Sequence, residues 1–117
     1  MNYEKLCETI FGLDKQIRFV AVYSKNYEKI AGGMREGTKT LSPESITRLS
    51  VEQAFDRWTT RLQMGEYIGA PKYALAEYEK LKRFTFHVGG NALLLISTEL
   101  GISNDLLIEN VLKTIRQ

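Results

Sequence analysis

The sequence predicts an α+β domain in which three helices cover both faces of a five-stranded antiparallel sheet. Residues 81–98 (LKRFTFHVGGNALLLIST) carry two strand-like runs around Gly89-Gly90-Asn91, the signal of a β-hairpin. In the first run Phe84, Phe86 and Val88 alternate with Arg83, Thr85 and His87; in the second, residues 92–96 are apolar at every position. A strand apolar on both sides needs a layer on each face of its sheet. The periodicities along the chain run helix, two strands, long helix, three strands, helix. That order puts the long helix on one face and the two terminal helices on the other.

Tyr3, Leu6, Cys7, Ile10 and Phe11 recur at helical spacing, and Gly12 stands where that helix would stop. It is too short to persist alone and must dock. Residues 17–24 (IRFVAVYS) are β-branched and aromatic and read as a strand, Lys25-Asn26 as a turn, and residues 27–33 as the returning strand. Residues 35–40 lack periodicity and read as a loop. Ser42-Pro43-Glu44 is a helix start: serine caps, proline suits the first helical position, and glutamate complements the dipole. This long helix is expected to run to about Met64, with Gly65 ending it. Val51, Ala54, Phe55, Trp58 and Leu62 fall within about a quarter-turn of arc. Ile46, Leu49 and Met64 cluster on a different side. A second apolar strip means either a partner or a helix wedged deep in its own core, and the sequence leaves the two even. Residues 66–72 hold Gly69 and Pro71 and connect to a third strand, 73–78, which turns at Glu79-Lys80 into the hairpin. After Gly101, Ser103 or Asn104 caps a last helix whose apolar face is Leu107, Ile108, Val111, Leu112 and Ile115.

At 117 residues, with neither linker nor internal repeat, residues 1–117 read as one domain large enough to bury a core. Sixteen basic against fourteen acidic residues leave a net charge of +2, which gives no support for a nucleic-acid partner. No apolar run reaches the ~18 residues of a membrane span, and the N-terminus lacks a signal-peptide core, so the expected location is the cytoplasm. Cys7 is the single cysteine, which rules out an intramolecular disulfide and a cysteine-based zinc site; it falls on an apolar helix face and reads as core.

No set of residues announces catalysis, and no metal or cofactor is implied. The string Gly32-Gly33-Met34-Arg35-Glu36-Gly37-Thr38-Lys39 leaves a strand and spaces two glycines by five, which invites a phosphate-loop reading. That chemistry needs lysine then serine or threonine straight after the second glycine, opening a helix. Here the order is Thr38-Lys39 and the helix starts later. Gly32, Gly33, Arg35, Glu36 and Gly37 remain a candidate ligand or partner loop, with Arg35 and Glu36 free to pair with each other or with a partner. His87 is the only histidine and would need carboxylates such as Glu77 or Glu79 beside it to hold a metal. Ser97 and Thr98 lack a nucleophile-elbow pattern. Lys80, Lys82 and Arg83 sit among phenylalanines, but strand alternation sends Phe84 and Phe86 to the face opposite Arg83. If residues 73–78 form an edge strand and Ile46, Leu49 and Met64 face outward, one homodimer buries both, with Tyr73 and Tyr78 flanking the pairing strand.

The element order over nearly the whole chain resembles the roadblock and dynein-light-chain superfamily, a profilin-like topology. The strand IRFVAVYS, the return into AGGM, the long central helix and the closing NALLLISTEL carry the likeness. The string AGGMREGTK is also similar to one in small archaeal proteins of unknown function. The superfamily resemblance implies a homodimer joined sheet edge to sheet edge with its long helices side by side. By position that makes residues 73–78 the pairing strand and residues 42–64 the helix. It further implies a non-enzymatic scaffold or regulator whose partner class is small GTPases or other proteins. The alternative reading is a small-molecule sensor of profilin-like or PAS-like type, its ligand held by residues 32–37 and the strand face bearing Arg83 and His87.

Overall fold

The computed structural model describes residues 1–116. It folds in the order α1 (Tyr3–Phe11), β1 (Ile17–Tyr23), β2 (Lys29–Met34), α2 (Glu44–Ile68), β3 (Tyr73–Glu77), β4 (Lys82–Val88), β5 (Ala92–Thr98) and α3 (Asn104–Arg116). The strands form one sheet in the order β2-β1-β5-β4-β3, with every neighbouring pair antiparallel. β5 therefore lies in the middle, which explains why residues 92–96 can be apolar throughout: all five are buried. β2 and β3 are the two edges.

On one face α1 and α3 pack Leu6, Cys7, Ile10, Leu107 and Val111 against Val20, Val22, Phe84, Phe86, Val88, Leu94 and Ile96. The alternation in β4 sends Phe84 and Phe86 into this core. Polar ties pin the layer at its rim. Tyr3 donates to the Gly89 carbonyl at 2.6 Å, fastening α1 to the β4–β5 turn. The Lys82 ammonium, itself buried, donates to Ile102 O at 3.0 Å and to Asn104 Oδ1 at 2.7 Å, fixing the start of α3. Ser103 is the cap, its hydroxyl accepting from Leu106 N.

The other face carries α2 alone. Its core is small: Ala21, Tyr23, Leu95 and Val51, with Phe19, Tyr27, Ala54 and Phe55 partly buried around them.

Several boundaries differ from the sequence expectation for local reasons. α2 begins one residue later than expected: Pro43 is the N-cap and Ser42 instead bonds the Thr47 hydroxyl at 2.8 Å. The helix also runs through Gly65 to Ile68, because Gly65 sits in helical geometry and still accepts from Gly69 N at 3.0 Å. In the first hairpin the turn spans Ser24 to Glu28, closed by Ser24 N to Glu28 O at 2.9 Å, so Tyr27 belongs to the turn and β2 starts at Lys29.

Burial pushes the Cys7 thiol up to about 11, with Glu4 and Glu8 adding to the effect. The native thiol should resist Ellman's reagent at pH 8 and react at once when the chain is unfolded in guanidinium. The folded pKa lies above the ordinary thiol value of 9.0, so the unfolded state releases this proton first as pH rises. Stability from this group is flat below about pH 8.5 and falls by about 1–2 kcal/mol towards pH 10.5. Urea melts at pH 7.5 and 10.5 check this, with Cys7→Ala lacking that part of the decline.

Candidate functional site

The residues singled out by the sequence fall into two separate regions. The first is the end of β2 and the loop after it. Gly32 has φ +85, and a Cβ there would lie 2.0 Å from Val20 O and 3.0 Å from the Cys7 sulfur. β2 thus crosses tightly over β1 and under α1, and only glycine fits. Arg35 folds inward. Its Nε donates to Ile17 O at 2.7 Å, and Nη2 donates to Phe11 O at 2.8 Å and Asp14 O at 2.9 Å. The guanidinium also lies 5.0 Å from the centre of the Phe11 ring. Arg35 is thereby a clamp that ties the α1–β1 loop to the end of β2, and it makes no pair with Glu36. The sequence showed its charge but not these carbonyls, which belong to residues 18 to 24 positions away.

The second region is α2 with the β3 edge. Only Val51 and Trp58 of its 25 residues are buried. Ile46, Leu49, Leu62 and Met64 are about half exposed, and Tyr67 and Ile68 are 82% and 76% exposed. At helical spacing Ile46, Leu49, Met64 and Tyr67 share about 60° of arc, opposite Val51 and Trp58. Tyr67 and Ile68 lie beyond the helix end expected at Gly65; Gly69 followed by Pro71 is the stronger stop signal. The helix is oriented by two contacts. Phe55 meets Tyr27 edge-on at 5.6 Å on the β1–β2 side, and Ser50 Oγ accepts from Arg83 of β4 on the other. Ile46, Met64 and Ile68 flank the Ser50 side and so turn towards β3.

β3 is exposed at four of its five positions. Its register with β4 pairs Tyr73 with Phe86 and Leu75 with Phe84, so both extend the α1/α3 core to the sheet edge. Ala74 and Ala76, paired with Thr85 and Arg83, lie on the α2 face.

His87 sits beneath α2, its ring stacked on Trp58 at 6.2 Å and 6°. The Arg61 guanidinium lies 5.7 Å from the same indole. The Trp58 Nε1–H is buried without a hydrogen-bond partner, a cost of about 1–3 kcal/mol for an unmet donor. Among the described residues no three His, Cys, Asp or Glu side chains gather to hold a metal, and no helix is long and apolar enough to cross a membrane.

Two glycine variants separate crowding from backbone conformation in the first region. Gly32→Ala should cost more than about 2 kcal/mol, since the backbone itself blocks the methyl group. Gly37→Ala, with φ +80 but open space around it, should cost about 1 kcal/mol. Urea denaturation of both against wild type measures the difference.

No protein-family model matches the sequence, and no curated protein matches it. Solved structures do match. MglB of Myxococcus xanthus superposes with a TM-score of 0.73 at 14% identity, covering 99% of this chain and 90% of that one. A roadblock/LC7 domain from Streptomyces avermitilis gives 0.72 at 11% identity, with 99% and 93% covered. An MglB solved in a tetrameric arrangement gives 0.66 at 12% identity, with 96% and 86% covered. At such identities the likeness is one of backbone architecture, and the chain has the roadblock/LC7 fold.

Proposed function

We propose that the chain is a homodimeric protein-interaction module of the roadblock type, a scaffold or regulator rather than an enzyme. The observation that carries this reading is a pair of uncovered surfaces: the outward apolar strip of α2 and the unpaired edge strand β3. An exposed strip of large apolar side chains on one helix marks an interaction surface. Edge strands invite pairing unless they are blocked.

The two edges of the sheet are unequal. β2 carries Lys29 and is bent by Gly32 and Gly33, both with positive φ. β3 has neither glycine nor proline. Antiparallel pairing of β3 with its copy joins the two sheets and covers Tyr73 and Leu75. Ala74 and Ala76 keep the seam shallow on the other face, so the two α2 helices can close over it through Ile46, Met64 and Ile68. Tyr78, exposed just past β3, flanks the same seam. Tyr67 then remains towards the outside, where a further partner docks. The partner class is the one the roadblock resemblance implies, a small GTPase or another protein, and the tetrameric arrangement of one MglB of the same fold favours self-assembly.

Light scattering during gel filtration at high micromolar concentration should return twice the 13.4 kDa chain mass for wild type. Leu75→Lys, at the pairing strand, and Met64→Glu, on the helix, should each give a folded monomer by circular dichroism and mass. Leu49→Glu reads how far the interface reaches round α2. A wild type that stays monomeric at that concentration would remove the dimer from this proposal.

A further inference from the structure

A cavity of about 700 Å³ opens between the sheet and the first turns of α2. Its floor is a single cross-strand row. Met34 pairs with Phe19, Phe19 with Ser97, and Ser97 with Arg83, so all four side chains share the α2 face. Leu41 in the loop before α2, Leu49 on the helix and Leu81 after the β3–β4 turn supply apolar walls. The volume is that of a small-molecule site, and the lining is mostly hydrocarbon with a few convergent polar groups.

The charges in this cavity are unequally satisfied. Arg18 is spent: its Nη1 pairs with Glu99 Oε1 at 2.9 Å and its Nη2 donates to Lys39 O at 2.9 Å. Arg83 donates to the Ser50 hydroxyl, and among the described residues it has no carboxylate within ion-pair reach. A hydroxyl accepts a hydrogen bond but supplies no counter-charge. Burial pulls the Arg83 pKa below the ordinary arginine value, while the Tyr78 and Tyr23 phenols act in the opposite direction. A half-buried guanidinium without a counter-ion is costly, and its planar fork matches a carboxylate.

We propose that this cavity binds a medium-chain carboxylic acid, with its carboxylate forked onto Arg83 and its alkyl chain laid over Phe19 and Met34 against Leu41 and Leu49. Lys80 and Glu79 line the cavity from the β3–β4 turn, while Arg83 is the cation on its floor and suits a single anionic head. A nucleotide would need donors for several phosphate oxygens, and Gly32, Gly33 and Gly37 of the string that suggested phosphate are not among the lining residues. The inference goes beyond the dimer and does not rest on it. A partner's α2 lying against Ile46 is the competing occupant, because Ile46 also lines the cavity.

Calorimetric titration of the full chain with hexanoate, octanoate and decanoate tests this. One ligand should bind per chain, with affinity rising about 15-fold for each two added carbons, as burial of two methylenes requires. Arg83→Met should weaken octanoate about tenfold or more and leave octanol unchanged, the signature of a lost charge-assisted bond. Ser97→Phe, which fills the floor from a strand position, should abolish binding of both, and thermal melts establish that each variant folds. Non-saturating uptake at millimolar decanoate overturns the proposal, as does equal loss of octanol and octanoate in Arg83→Met. Binding that disappears in step with dimer formation on raising protein concentration assigns the cavity to the second copy and overturns it too.

Discussion

Everything in this fold depends on the burial of β5 on both faces. Residues 92–96 present apolar side chains alternately up and down, and no position among them tolerates water. The strand is therefore placed at the centre of the sheet, and a layer must cover each side. The two layers are built differently. α1 and α3 bring a broad apolar face and are fastened by the Tyr3, Arg35 and Lys82 contacts, each ending on a backbone carbonyl. Those bonds use long polar side chains to join segments far apart in sequence, and they fix how the terminal elements sit.

The α2 layer meets the same demand with far less. A helix of 25 residues lies over the sheet with Val51 and Trp58 as its buried contacts. Trp58 covers His87 and leaves its own N–H unmet, so even this anchor is incompletely satisfied. The proposed interaction surface is a direct result of that economy. Apolar residues not needed against the sheet remain outside, and the space not filled beneath the helix remains a cavity. Arg83 lines that cavity: it steadies α2 through Ser50, and among the described residues no carboxylate pairs with it.

Much of the architecture was legible because it is written in local periods. Alternation in β4, continuous burial in β5 and three-and-four spacing in α1 and α3 each depend on residues within a few positions of one another. The element order followed, and with it the likeness to the roadblock fold. Where the reading slipped, a local signal met a competing one. Gly65 is a weak helix breaker when its neighbours keep their hydrogen bonds, so α2 continued to Gly69 and carried Tyr67 and Ile68 into the exposed strip. Arg35 read as free to pair with Glu36 or a partner because sequence displays charge without displaying the carbonyls within its reach. Gly32 is required by the carbonyl of Val20, a residue on another strand.

The sequence by itself determined the fold class, the number and order of elements, the face each strand turns to the core, and the existence of two apolar strips on the long helix. These are consequences of 3.6- and 2-residue periods, which any solution of the chain must respect. Only the tertiary structure decided the strand order, which of the two α2 strips is docked, that Arg35 is a clamp, and that Arg83 stands in a cavity with no paired carboxylate among the described residues. Those facts come from side chains meeting across strands and layers, where the distance along the chain says nothing about the distance in space.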